Sequence, residues 1–429
     1  MKNKEQIAGY AKSGFVRILA IGSQFVLIGM ISRYLSVEST GQYASSISIA
    51  SIVAIVITFG QMAAVIKSLP EMVRLNDTNG MSKIITRSIS IVLLSALVMF
   101  LPIVVFSYFA TGSLTSALIA SGLGIGLGLL AVNGAIARSY GAIFMSESAK
   151  AVIWRLAAIF TIGIATWLSI SIVVTHVLFV AFFAMIISVV VTIFVFAKKY
   201  SLDLFKGQQI LDLHSVRIDT MNWILQSLQT LILNIDVILV GMLIGLQESG
   251  VYFVLTRMAS LVSMPLSVTN PVIQPVLGRI AKTNGVSAGN RSIKMNARTN
   301  IASAVAIVLA MMIFSESIYS LLSGETMTPH ILLIFSFLLF SQLVNCCVGP
   351  TSFSTQLFDG RKKALKILLL CLFGMVTSIA ILADSHGIIG VAAAACLWRV
   401  LQNIWTFLLV WKDGGLNLIT GSYQRNVSI

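Results

Sequence analysis

Apolar runs long enough to cross a bilayer follow one another through the whole chain and leave almost nothing between them. A transmembrane helix needs about 20 mostly apolar residues. Windows of that kind fall near 14–35, 42–66, 88–110, 115–137, 152–170, 172–197, 220–246, 250–276, 299–323, 329–349, 366–384 and 387–411. Charged residues make up 10% of the 429 and hydrophobic residues 57%, with a mean hydropathy of +0.95. A soluble domain carries about 25% charged residues, so this chain has too little charge to cover a water-facing surface. It is expected to be an all-α polytopic membrane protein of about twelve transmembrane helices, with no soluble domain.

The distribution of charge tests that map. Apart from Arg33, Arg257 and Arg399, every one of the 29 lysines and arginines falls at a terminus, in the connections after helices 2, 4, 6, 8 and 10, or, like Arg17, Arg155 and Lys366, at the edge of a span beside them. The opposite connections carry only acids: Glu38, Glu248, Glu316, Glu325 and Asp384. Basic residues collect in cytoplasmic loops, so both termini are expected in the cytoplasm. The net charge of +14 and pI of 9.8 have the same origin. No basic stretch is interleaved with aromatics as a strand-binding groove requires, so no nucleic-acid partner is expected. The basic start, Met1-Lys2-Asn3-Lys4, resembles a signal peptide. The apolar run behind it carries Arg17 and continues past Leu35 without a small-residue cleavage site, and reads as the first transmembrane helix.

Motifs for bond-making chemistry are missing from the sequence. It contains no H-E-x-x-H, no G-x-S-x-G and no P-loop lysine. His176, His214, His330 and His386 are scattered without ligand spacing. Cys346, Cys347, Cys371 and Cys396 lie in apolar runs with no C-x-x-C pair and read as small apolar fillers. The outer connections are too short to hold sugar acceptors, as a polysaccharide polymerase or ligase would need to. No catalytic residue, metal or cofactor is therefore expected.

Two turns resemble each other. Glu38-Ser39-Thr40-Gly41-Gln42-Tyr43 follows helix 1, and Gln247-Glu248-Ser249-Gly250-Val251-Tyr252 follows helix 7. Both hold an acid, a glycine and a tyrosine two residues after it. At nearly the same offset, Phe144-Met145-Ser146-Glu147-Ser148-Ala149-Lys150 follows helix 4 and Phe358-Asp359-Gly360-Arg361-Lys362-Lys363 follows helix 10. These matches point to two six-helix halves, 1–200 and 201–429. An even number of spans per half makes them parallel repeats, which usually enclose a central cavity. Helix 8 contains Pro265, Pro271 and Pro275 and is expected to be kinked or broken in its inner half.

A charge at the bilayer centre costs about 2.5–3.5 kcal/mol on insertion scales, so each one asks for a reason. Arg33, near the outer end of helix 1, either snorkels to the headgroups or faces the cavity. Arg257 stands seven residues past Gly250, roughly 10 Å deep at 1.5 Å per residue, and is expected to face the cavity. Arg399 lies near the middle of helix 12, and Gln402, Asn403 and Thr406 continue its polar stripe. Asp236 is near the middle of helix 7, with Asn222, Gln226 and Gln229 on its face. It is either a proton or sodium site or a static counter-ion for Arg257 or Arg399. A cavity with more cations than acids favours an anionic substrate part such as a phosphate. The candidate substrate contacts are Arg257, Arg399, Arg33, Gln226, Gln229 and Asn403, with Asp236 for coupling or as counter-ion. Arg399→Ala is expected to cripple transport while leaving folding and insertion intact.

The run Arg33-Tyr34-Leu35-Ser36-Val37-Glu38-Ser39-Thr40-Gly41-Gln42-Tyr43 resembles the opening of the polysaccharide-biosynthesis flippases. Leu35-Ser36 stands where that family commonly has a leucine-glycine pair. Phe59-Gly60-Gln61 followed by Lys67 is similar to the family's second-helix ending, and Phe358-Asp359-Gly360-Arg361-Lys362 to its basic turn between helices 10 and 11. The family includes the O-antigen flippases and shares a superfamily with multidrug and toxin extruders and the lipid II flippase. The resemblance implies a twelve-helix, two-bundle flippase for an undecaprenyl-pyrophosphate-linked oligosaccharide in a bacterial inner membrane, with membrane lipids around it. It is the sole ground for expecting contacts with a polysaccharide polymerase and a chain-length regulator. The alternatives are a cation-coupled small-molecule or multidrug exporter of the same fold, a facilitator-type solute transporter, an enzyme and a structural scaffold. Such exporters usually carry several acids in their helices, and only Asp236 lies deep here.

Overall fold

The computed structural model of the protein describes residues 2–200, 220–270, 273, 277, 287–357, 360–420 and 422–423. Met1, His214, Pro271, Pro275, Phe358 and Asp359 lie outside them. The helices are α1 (Lys2–Tyr34), α2 (Val37–Ile57), α3 (Gln61–Leu75), α4 (Thr78–Thr111), α5 (Leu114–Ser139), α6 (Ile143–Ser148), α7 (Trp154–Trp167), α8 (Val174–Lys199), α9 (Thr220–Leu243), α10 (Leu246–Ser260), α11 (Ser287–Ile313), α12 (Ser315–Ser323), α13 (Pro329–Val348), α14 (Thr351–Leu357) and α15 (Arg361–Gly414). A π turn, Ala149–Ile153, joins α6 to α7. Among the described residues ten helical stretches are long and apolar enough to cross a membrane, and Ile18–Tyr34 adds a shorter apolar one. The longest, Arg361–Asp413, is two helices folded at Gly387, which brings the total to the expected twelve. The chain forms two compact units, Met1–Thr230 and Leu231–Ile429.

In the first unit α5 is the axis, packed by α2, α3, α4, α6 and α8 and buried along nearly its whole length. Its alternating glycines make this close packing feasible. Gly124 and Gly128, one turn apart, face α2: a Cβ on Gly124 would lie 2.5 Å from Val53 Cγ1, and one on Gly128 2.7 Å from Ile57 Cδ1. Gly126 faces α8, where a Cβ would lie 3.1 Å from Met185 Sδ; at Gly122 a Cβ would make an ordinary 3.7 Å contact with Phe182. Small residues four apart let helix backbones approach closely where lipid supplies no hydrophobic drive.

Two expected spans end early. The run 42–66 is helical only to Ile57, because Phe59 (φ 44°) and Gly60 (φ 74°) turn left-handed and start the amphipathic α3. Trp223 secures that break. Its indole Nε1 donates to the Ile55 and Val56 carbonyls at 3.2 and 3.1 Å, and its ring lies 4.6 Å from that of Phe59. Those carbonyls belong to the last turn of α2, where Thr58 Oγ1 also donates to Ile55 and Phe59 N–H to Val56. The run 299–323 likewise stops at Ile313, where the Ser315 hydroxyl donates to the Met312 carbonyl at 3.0 Å. The short α12 then buries Tyr319 and closes at Gly324 (φ 79°).

In the second unit α13 packs against α10, α11 and α15, and α14 against α15. The proline expected to disturb helix 8 does so at Pro265. A single 3₁₀ turn, Leu261–Ser263, precedes it, and the Leu261 carbonyl accepts from Met264 N–H, one residue before the N–H that Pro265 lacks. At Gly387 (φ 57°, ψ −143°) α15 reverses. The Trp398 ring fills the space beside Gly374, and its Nε1 donates to Ser378 Oγ at 3.0 Å, so the two arms run side by side.

Both units carry the sequence repeat into structure. α2 starts at Val37 and α10 at Leu246, the same offset that separates Gly41 from Gly250. Thr192 in α8 and Thr406 in α15 each donate to the carbonyl four residues back, at 2.8 and 2.7 Å. Gly124→Leu is expected to force α2 off α5 and to cost about 1–3 kcal/mol or more through overpacking. Gly22→Ala, with nothing within 4 Å of the new carbon, should be neutral or stabilising by up to about 1 kcal/mol. Thermal unfolding of the two variants in a lipid mimetic checks the contrast.

Candidate functional site

The acid singled out in the sequence, Asp236, is fully buried in the second unit at the centre of a three-residue cluster. The hairpin of α9 and α10 builds it. Only Ile244 and Gly245 separate the two helices, and Gly245 adopts φ 153°, with Glu248 Oε2 2.8 Å from where a Cβ would stand. A turn this short pairs residues equally far from it. Asp236 and Tyr252, each about two helical turns from the loop, meet with the Tyr252 hydroxyl donating to Asp236 Oδ2 at 2.7 Å. Ser249 Oγ adds a bond to the Val237 carbonyl at 3.0 Å.

Arg399 enters from the second arm of α15. One guanidinium nitrogen lies 2.9 Å from Asp236 Oδ2 and reaches the Ile232 and Leu233 carbonyls at 3.3 and 3.2 Å. The arginine side chain is 8% exposed. Asp236 Oδ1 and Arg399 Nε are buried with no hydrogen-bond partner. One carboxylate oxygen thus receives two donors, and the other remains open to one more.

The other residues named from sequence are placed as follows. Arg257 is half-buried, its guanidinium 4.5 Å from the ring of Phe253 one turn earlier, a cation–π arrangement. Asp236 therefore takes Arg399, not Arg257, as its cationic partner. Asn403 and Gln402 continue the α15 stripe; Gln402 is buried, and the two backbone carbonyls share the Thr406 hydroxyl. Gln226 and Gln229 are partly buried on the part of α9 that belongs to the first unit. Arg33 is exposed in the last turn of α1, where a cation complements the helix dipole. Tyr252 is the partner that counting charges missed; the shared glycine-x-tyrosine turn was the signal that marked it. Among the described residues no group of His, Cys, Asp or Glu has the geometry to hold a metal.

Burial alters the expected effect of one variant. Arg399→Ala leaves the Asp236 carboxylate unpaired, and breaking such a pair from one side costs about 3–5 kcal/mol, so folding suffers together with any transport. The first unit suggests a cleaner test. The repeat offsets place Leu27 and Met185, both fully buried, where Asp236 and Arg399 stand. Asp236→Leu with Arg399→Met should unfold within about 1 kcal/mol of the parent, since replacing both members of a buried pair by apolar groups is often neutral. Unfolding of the two single variants and the double variant in a lipid mimetic measures the coupling.

The comparisons fit this architecture. The sequence matches the family described as polysaccharide biosynthesis protein over residues 11–283. No curated protein sequence matches the chain. Among solved structures, an inward-facing multidrug-resistance MATE transporter of the MOP superfamily superposes with a TM-score of 0.65 at 15% identity, over 92% of this chain and 93% of its own. The lipid II flippase MurJ, in an inward closed conformation, superposes at 0.63 and 16% identity, over 94% and 87%. A MOP superfamily transporter from Pyrococcus furiosus, described as having a binding pocket of reverse polarity, superposes at 0.59 and 15%, over 93% and 94%. At such identities these likenesses establish the fold, and the match across more than half of the sequence places the chain in the polysaccharide biosynthesis protein family.

Proposed function

We propose that the protein is a flippase. It moves an undecaprenyl-pyrophosphate-linked oligosaccharide, the repeat unit of O-antigen or a related surface polysaccharide, across a bacterial inner membrane by alternating access. The lipid tail stays in the bilayer while the sugar and pyrophosphate pass. The chain makes and breaks no covalent bond in this reading. Both termini face the cytoplasm, and the functional halves are 1–200 and 201–429. The polymerase and chain-length regulator are partners by family likeness alone.

One observation carries the proposal: a guanidinium buried within a membrane span, whose only carboxylate contact among the described residues is one oxygen of Asp236, beside two backbone carbonyls. Arginine presents a planar fork that matches phosphate. A pyrophosphate can compete for it when the carboxylate gives it up. Arg257, Arg33, Gln226, Gln229 and Asn403 are the further candidate contacts, and Asp236 is the counter-ion that holds Arg399 until substrate arrives. A second reading, a cation-coupled exporter of the same fold, is favoured by the open Asp236 Oδ1, which can accept a proton or a cation.

Deleting the protein in its bacterium separates the two. Loss of the surface polymer, with single undecaprenyl-linked repeat units held on the cytoplasmic leaflet, is the flippase outcome. Intact polymer with altered drug or solute tolerance is the exporter outcome. In complementation, Arg399→Lys keeps the charge but loses the fork, and is expected to cut polymer export about tenfold, equivalent to about 1.4 kcal/mol. Export at the parent level from a normally folded Asp236→Leu/Arg399→Met chain would remove Arg399 from the mechanism.

A further inference from the structure

The chain itself closes one end of the second unit. After α15 the backbone turns at Gly415 (φ 63°). Leu416 then pairs antiparallel with Tyr423, and Asn417 with Ser422. The Asn417 side-chain oxygen accepts from the N–H groups of Ile419 and Thr420, both at 3.0 Å, which fixes the turn between the strands. Leu416 and Leu418 point inward and are 0% and 3% exposed. They sit in an apolar cluster with Ile273, Leu277, Ile293, Val348, Phe407 and Val410. Those six residues come from four stretches: the helical positions beyond α10, the start of α11, the end of α13 and the end of α15. Leu418 Cβ is 3.8 Å from a Cβ built on Gly349, just past α13.

We propose that Leu416–Leu418 is a removable stopper: seated, it holds these four helix ends together, and withdrawn, it lets them part. Among the described residues the seat is an apolar cluster, and residues 415–420 carry no charge. The last charged tie before it is the Asp413 pair with Lys363, which stays on α15. The strap is held by two leucine side chains, a hairpin of two-residue strands and the packing of its second strand on α11, and a two-stranded hairpin is marginally stable at best in water without such packing. Gly414 and Gly415 supply the hinge, free to change φ and ψ where other residues resist. On the orientation proposed above, this end faces the cytoplasm, and the stopper would gate the inner side of the second unit. The seat and its release do not depend on what is carried.

The test uses the full chain in nanodiscs, with its four native cysteines replaced by alanine and the pair Gly349→Cys and Leu418→Cys added. A Cβ separation of 3.8 Å suits a disulfide. Amide exchange is followed in peptides 340–348 and 405–412, with 370–382 as reference. Oxidation should slow exchange in the first two peptides about tenfold relative to the reduced form of the same variant, which carries the same backbone cost at Gly349. Ending the chain at Gly415 should speed it about tenfold, and Leu418→Asp in the full chain should do the same without any cysteine. Equal exchange in the oxidised and reduced forms would mean the strap never leaves. Equal exchange with and without residues 416–429 would mean it holds nothing, and a pair that does not cross-link would contradict the seat. None of these readouts requires transport, so a failed flippase assignment leaves them interpretable.

Discussion

Hydrocarbon offers no hydrogen bonds, and that constraint shapes the rest of the molecule. Each backbone N–H and C=O within the bilayer must be satisfied inside its own helix, so among the described residues the candidate spans are helical along most of their length. Helix ends are treated individually. Ser36 and Asp77 side chains accept from the N–H groups of Ser39 and Gly80 at 3.0 and 2.9 Å. At the other pole of α2 an indole from a distant helix takes the last carbonyls. With lipid as solvent, burying apolar surface gives little preference for helix–helix over helix–lipid contact. Close fit must supply the difference, which is why the axis of the first unit is glycine-rich and why a side chain added at Gly124 or Gly128 has nowhere to go.

The same medium makes the Asp236 cluster conspicuous. An ion pair in the interior recovers its desolvation cost only when the geometry is good and the remaining donors and acceptors are met. Here they are met in part. Asp236 Oδ2 accepts from Arg399 and Tyr252, while Asp236 Oδ1 accepts from no group and Arg399 Nε–H has no acceptor. A pair left short of full satisfaction is held less firmly than its Coulomb attraction suggests. On the reading proposed above, a competing anion rearranges this contact.

Much of this was legible in the sequence, for identifiable reasons. Twelve spans followed from hydropathy, because a bilayer imposes one length on every helix. Asp236 and Arg399 stood out because buried charge is rare in an apolar helix. The misjudged boundaries lie where hydropathy is blind. Phe59 is apolar and reads as helix interior, yet its left-handed backbone ends α2, and the contact that holds it comes from Trp223, far along the chain. The choice of partner for Asp236 was equally hidden. Arg257 is nearer in sequence and lies on the neighbouring helix, but its guanidinium rests on Phe253, and only the fold of α15 at Gly387 brings Arg399 to the carboxylate.

The repeat indicates what the cluster is not for. If the two units descend from one six-helix pattern, the positions of Asp236, Tyr252 and Arg399 correspond to Leu27, Tyr43 and Met185, all buried. The tyrosine is common to both, and the charges are not. One unit packs this region with a leucine and a methionine, so the architecture has a neutral solution that avoids desolvating two ions. The second unit carries the costlier version, and a fold requirement does not explain it. Contact of Arg399 with an anionic substrate, as proposed above, would account for the asymmetry, because charge inside a membrane otherwise carries a cost that the first unit avoids.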